Sequence, residues 1–135
     1  MTNKRVVVIG GGPAGHDAAT YAARFGADVT LIEREIVGGA AHLRDCVPSK
    51  SMIATGGALS FAQRLDGMGL AKVETGIDAD QLRERIQGIE RRLEQAVPQP
   101  LTSQGVTIHR GTGRLLNHNE VCADTDNGPI ELTAD

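Results

Sequence analysis

The junction that most constrains this chain is its start, where the run "RVVVI" (Arg5 to Ile9) meets Gly10, Gly12 and Gly15. A strand that is aliphatic at every position, and not at every second one, is buried on both faces, as in parallel sheets covered by layers on each side. The glycines are followed by "PAGHDAATYAARFG", which predicts a helix from about Ala14 to Phe25, ended by Gly26. "DVTLIE" (Asp28 to Glu33) predicts a second strand. Strand, helix and strand in that order make a βαβ unit, so the two strands are expected to be parallel and the fold class α/β.

The glycines themselves have the spacing G-x-G-x-x-G, placed after a strand and opening a helix, which is the context that gives the pattern meaning. Gly10 permits a tight turn, and Gly12 lets the backbone approach a pyrophosphate. Gly15 lets helix and strand pack closely, with small Ala19 and Ala23 one and two turns further on. The unpaired amides at the helix N-terminus, aligned with the helix dipole, then face the phosphates. Glu33 ends the second strand 18 residues beyond Gly15. A carboxylate there accepts hydrogen bonds from an adenosine ribose, a charge-assisted contact of about 1.5–3 kcal/mol. It also repels a 2′-phosphate, which disfavours an NADP-type adenosine half. A dinucleotide is therefore expected here, and the fingerprint alone admits NAD or FAD.

Further along, "GGAAHLRDCVPSK" (Gly38 to Lys50) reads as a loop in front of a second helix, which starts near Pro48 and runs toward Phe61. Asp78 and Gln81 offer a capping box for a third helix. On that helix Leu82, Ile86, Ile89, Leu93 and Val97 recur at spacings of three and four, and Pro98 and Pro100 are expected to end it. Its Arg83, Arg85, Arg91 and Arg92 alternate with Glu84, Glu90 and Glu94, as on a solvated face. "GVTIHRG" (Gly105 to Gly111) predicts a third strand, and the tail predicts short antiparallel strands with a turn at 126–129.

The composition excludes several classes. A chain of 135 residues suits one core, and a net charge of −3 provides no electrostatic footprint for nucleic acid or an anionic membrane. Tyr21, Phe25 and Phe61 are too few aromatics for a base-stacking surface. The aliphatic run near the start is too short for a signal peptide, and no stretch approaches a transmembrane segment, so a cytoplasmic location is expected. Two cysteines, Cys46 and Cys122, make no disulfide scaffold, and the histidines have no metal-ligand spacing.

From Gly38 the sequence resembles the pyridine-nucleotide–disulfide oxidoreductases, the family of dihydrolipoamide dehydrogenase and glutathione reductase. Their fingerprint is followed by a pattern of the form G-G-T-C-x-N-x-G-C-x-P-S-K. Here Gly38, Gly39, Cys46, Pro48, Ser49 and Lys50 are in register with it, and "RGTGRL" and "ELTAD" continue the likeness. The resemblance implies a Rossmann-like FAD-binding domain with a parallel sheet and an antiparallel β-meander. FAD would be held by Gly10, Gly12, Pro13, Ala14 and Gly15, by Glu33, and by the Gly39–Ala40 segment. Cys46 would be the flavin-proximal thiol, and Lys50 would lie near the flavin N5, where a cation stabilises developing negative charge. Gly113 would let backbone approach the adenine, and Arg34 either flanks the adenosine or faces solvent.

Three departures bear on chemistry. Ala41 stands where the family has the cysteine that exchanges with substrate disulfides, Ala40 replaces a cofactor-holding threonine, and Leu43 and Asp45 replace asparagine and glycine. Without sulfur at Ala41 the loop disulfide cannot form, and Cys122, 76 residues beyond Cys46, is expected to be a small buried hydrophobe. Two readings of Cys46 stand. It is a packing cysteine under the flavin, or it is a single redox thiol, with the helix N-terminus and Lys50 lowering its pKa and Asp45 raising it. His42 is either a proton donor near the flavin or a solvent-exposed loop residue.

The resemblance places residues 1–135 in the N-terminal part of the FAD-binding domain, incomplete at its C-terminus. The NAD(P)H-binding and dimerisation domains of the family are absent from the chain, so a fragment or truncated product is expected. An order 3-2-1 of the parallel strands would leave Arg5–Ile9 as an open edge. The expected activity of the full-length parent, a homodimer, is hydride transfer from NAD(P)H to FAD. Electrons would then pass directly to a small-molecule, quinone-like acceptor, with the chain alone inactive. Alternatives are a single-cysteine oxidase or peroxidase using Cys46, and a non-catalytic nucleotide-binding module.

Overall fold

The computed structural model describes residues 3–65, 67–71 and 74–135. One sheet carries five strands in the order β1 (Arg5–Ile9), β2 (Asp28–Glu33), β3 (Thr107–Leu115), β4 (Glu120–Thr125) and β5 (Gly128–Thr133). β1 pairs parallel with β2, with Val7 opposite Thr30, and β2 pairs parallel with the first part of β3, with Leu31 opposite Ile108. Beyond Arg110, β3 pairs antiparallel with β4, and β4 with β5. Gly111 sits at the handover, where a Cβ would lie 2.4 Å from the Asp124 carbonyl oxygen, so only glycine allows the two strands to approach.

The aliphatic run of β1 is used on both faces. Val6 and Val8 pack with Val29 and Leu31 against α1 (Pro13–Arg24) through Ala19, and against Leu101 and Val106. Val7 turns the other way and, with Ile32, packs under Val121, Ala123, Ile130 and Leu132 of the meander. The parallel strands thus lie between a helical layer and a β layer. β1 ends the sheet order, as the sequence predicts for that strand. At this edge the Asp135 backbone N–H donates to the Arg5 carbonyl at 3.1 Å, and its carboxylate accepts the Arg5 amide at 2.8 Å.

α1 begins one residue before its predicted start and stops at Arg24 in a Schellman arrangement. Gly26 adopts φ +85°, its N–H donates to Ala23, and the Ala27 N–H donates to Ala22. α2 (Val47–Gln63) runs unbroken through Gly56–Gly57. It packs on α3 (Ala79–Ala96) rather than on the sheet, and the stripe Leu82, Ile86, Ile89 and Leu93 is accordingly half-buried. Asp78 caps α3 by accepting the Asp80 and Gln81 amides, while the Gln81 side chain donates to the Asp78 carboxylate instead of to backbone.

Three expectations change. The stretch read as a loop before Pro48 is helical: Ala41–Cys46 forms a π-helical turn that leads directly into α2. Pro48 supplies a physical reason, because a proline ring crowds the carbonyl four residues back and a wider turn relieves it. Pro98 and Pro100 end α3 but do not end helix, since Pro98 opens α4 (Pro98–Ser103), whose Leu101 is fully buried. The charged face of α3 is not wholly solvated, because Arg85 donates to the Thr55 hydroxyl of α2 and Glu94 accepts from Arg44.

Candidate functional site

The site is built where the carboxyl ends of β1 and β2 meet the start of α1. Gly10 takes φ +96°, turns the chain out of β1, and donates its N–H to the Ile32 carbonyl at 2.8 Å. At Gly15 a Cβ would lie 1.8 Å from the Gly10 carbonyl oxygen and 3.4 Å from Val8 Cγ1, so the absent side chain is what brings helix onto strand. At Gly12 a Cβ would meet nothing within 4 Å. That glycine answers to no protein neighbour, and the space beside it opens onto the first turn of α1. Pro13 and Ala14 form that turn, with no side-chain cap and no acidic residue in it. A bare, positively polarised helix end beside a vacant Cβ position fits a pyrophosphate.

Glu33 closes one flank. Its Oε2 accepts the Gly11 amide and its Oε1 accepts the Glu35 amide, each at 2.6 Å. The carboxylate is therefore held over the glycine turn with lone pairs left for a ribose hydroxyl. The other flank is the Gly38–Gly39 pair, both in the left-handed region at φ +103° and +86°. The Gly38 N–H donates to the Gly11 carbonyl at 2.7 Å, and a Cβ at Gly39 would sit 3.0 Å from Pro13 Cδ and 3.2 Å from Gly12 Cα. Ala40 then leads through the π-helical turn to Cys46 and, one turn into α2, to Lys50, both exposed.

The sequence matches the family described as pyridine nucleotide-disulphide oxidoreductase over residues 4–133. The chain belongs to that family. A dihydrolipoyl dehydrogenase of Acholeplasma laidlawii is 32% identical over 117 residues, 86% of this chain and 35% of that protein. An NAD(P)H dehydrogenase (quinone) of Mycobacterium tuberculosis is 35% identical over 118 residues, 84% of this chain and 24% of that protein. The crystal structure of LpdA from Mycobacterium tuberculosis superposes with a TM-score of 0.83 at 31% identity, covering 98% of this chain and 30% of that one. This pyridine nucleotide-disulphide oxidoreductase chain thus spans roughly a quarter to a third of the length of such relatives.

Among the residues singled out from sequence, Gly10, Gly12, Pro13, Gly15, Glu33 and Gly39 converge on one cradle. Arg34 is largely exposed, its side chain by 72%, and its guanidinium pairs with Glu35 at 3.4 Å. Gly113 has a packing reason: a Cβ there would lie 2.9 Å from Ile9 Cγ2 and 3.3 Å from Ile32 Cδ1. Cys122 is 3% exposed in β4, within 3.5 Å of Arg114 Nη2, and neither it nor Cys46 is in a disulfide. His42 is exposed and shares a hollow with His16, whose Nδ1 lies 3.6 Å from the Asp17 carboxylate.

The sequence reading missed Gly11, whose amide and carbonyl tie both flanks together. It also missed the anchors of the π-helical turn. Leu43 is 1% exposed, and Arg44 donates to Glu94 of α3. The lone leucine in "AHLRD" was the available signal for the first. Fifty residues separate Arg44 from Glu94, and nothing local marks that pair.

Proposed function

We propose that the chain is the FAD-binding segment of an NAD(P)H-dependent flavoprotein oxidoreductase that lacks the redox disulfide. Bound FAD would supply the chemistry, taking a hydride from the nicotinamide and passing electrons directly to a quinone-like acceptor. The observation that carries this reading is the pairing of an intact cradle with Ala41. The residues that would hold a dinucleotide converge on one cradle, while Cys46 has no sulfur partner in its turn and Cys122 is buried in β4. The likeness to an NAD(P)H dehydrogenase (quinone) supports the same direction.

Each element of the cradle has a task. The first turn of α1 binds the pyrophosphate through backbone amides, with Gly12 allowing close approach. Glu33 fixes the ribose, and its charge works against a 2′-phosphate. Gly39 lies close against Pro13 and Gly38 bonds to Gly11, which keeps the helix end in place. Lys50 would bring positive charge to the flavin end, and Cys46 would line it. In the whole protein the NAD(P)H-binding and dimerisation parts would lie outside residues 1–135.

The reading is tested in two steps. The chain as it stands should quench FAD fluorescence on titration, and a folded chain indifferent to FAD would overturn the cofactor assignment. In the full-length protein, Cys46→Ser should retain NAD(P)H:quinone turnover within about twofold. Loss of turnover, with a sulfenic acid trapped on Cys46 of the unsubstituted protein, would instead assign a single-thiol oxidase or peroxidase.

A further inference from the structure

The π-helical turn is held to the rest of the molecule at two adjacent residues that point in different directions. Leu43 is buried, and it and Val97 both crowd Gly38: a Cβ built on that glycine would lie 3.1 Å from Leu43 Cδ1 and 2.9 Å from Val97 Cγ1. Arg44 reaches outward, and its Nε and Nη2 donate to Glu94 Oε1 at 3.3 and 3.1 Å. Arg44 ends on α3, and Leu43 is buried at the glycine that the capping residue of α3 also crowds. α2, by contrast, buries only Pro48 among its described residues. The placement of Cys46, which ends the turn, and of Lys50, in the first turn of α2, therefore depends on the turn's own anchors more than on packing of α2. π-helical turns persist where a site needs a side chain aimed off the ordinary helical period.

We propose that Leu43 and Arg44 form a two-point clamp that fixes the π-helical turn on α3 and thereby sets where Cys46 and Lys50 stand relative to the cofactor cradle. The proposal rests on the reading that FAD occupies that cradle. Leu43 and Arg44 act as positioning residues and touch no reacting atom. The clamp does by packing and charge what a disulfide across the turn cannot do once residue 41 is alanine. The two points differ in strength. An ion pair whose partners are 51% and 38% exposed shifts an equilibrium by about fivefold at most, whereas a buried leucine shifts it by far more.

The test measures amide hydrogen exchange of residues 41–47 in the chain as it stands, together with FAD affinity by fluorescence quenching. Arg44→Gln and Glu94→Gln should each speed exchange in the turn by about two- to fivefold and weaken FAD binding by a similar factor, with little change in melting temperature. The exchanged pair Arg44→Glu with Glu94→Arg should restore both. Leu43→Val should speed exchange in the turn more than it does in the parallel strands. Unchanged exchange in both single variants, or no recovery in the exchanged pair, would overturn the clamp. Faster turn exchange with undiminished FAD affinity would overturn its positioning role. If no variant, nor the parent chain, binds FAD while exchange responds as described, the clamp is supported and the cofactor reading is what fails.

Discussion

The Glu33 carboxylate accepts the amide of Gly11 at 2.6 Å, across the gap between the end of β2 and the glycine turn that follows β1. One side chain thus closes the cradle structurally and presents negative charge to it. Removing the charge tests both roles. Glu33→Gln keeps one acceptor oxygen but turns an NH2 toward the other backbone amide, so the fold should lose about 1–3 kcal/mol, measured by denaturant unfolding. FAD affinity should fall about tenfold, because a charge-assisted bond to the ribose becomes a neutral one.

Gly12 and Gly15 separate binding from folding. Gly12→Ala places a methyl where no protein atom lies within 4 Å, so the melting temperature should stay close to that of the parent. FAD binding should drop at least tenfold, since the methyl occupies the phosphate approach. Gly15→Ala puts a Cβ 1.8 Å from a backbone oxygen, so α1 must shift off β1. Overpacking of that kind costs about 1–3 kcal/mol, and both stability and FAD binding should fall together.

Much of this was legible because the βαβ unit is local. Alternation between strand and helix periods, three glycines and a terminal acid all lie within the first 33 residues. The π-helical turn was not legible, because a proline after a polar stretch ordinarily marks a loop boundary. Burial of Leu43 beside Gly38, which Val97 also crowds from 54 residues on, favours helix there. α4 was hidden for a similar reason. Pro98 and Pro100 read as terminators, and the tertiary burial of Leu101 decides the outcome.

Leu101 joins a short helix to the helical face of the sheet while fully buried among Ala19, Val29, Leu31 and Val106. Leu101→Ala should cost about 2–5 kcal/mol by chemical denaturation. Hydrogen exchange should rise first in α4 and at Val106, whose amide donates to the Leu101 carbonyl at 3.0 Å.

Acid should loosen the start of α3. The Gln81 amide bonded to Asp78 holds its carboxyl below the ordinary carboxylate value, opposed by desolvation and aided by the Gln81 side chain and the Asp80 amide. A depressed pKa contributes stability that is present above the unfolded value, near 4, and is lost as pH falls through the folded value. Exchange of the Asp80 and Gln81 amides, corrected for intrinsic rates, should therefore lose protection below about pH 4. Asp78→Asn, which keeps a neutral cap, should remove that pH dependence without abolishing the helix.

The divided pairing of β3 has a kinetic consequence. Its second half meets β4 through close neighbours in sequence, with Arg114 opposite Cys122, so that hairpin closes over a short loop. Its first half must find β2, with Leu31 opposite Ile108, across the whole intervening helical region. Closing the longer loop costs more entropy and comes later. The meander should therefore assemble first and offer one prepared strand as the template on which β2, and then β1, complete the parallel sheet.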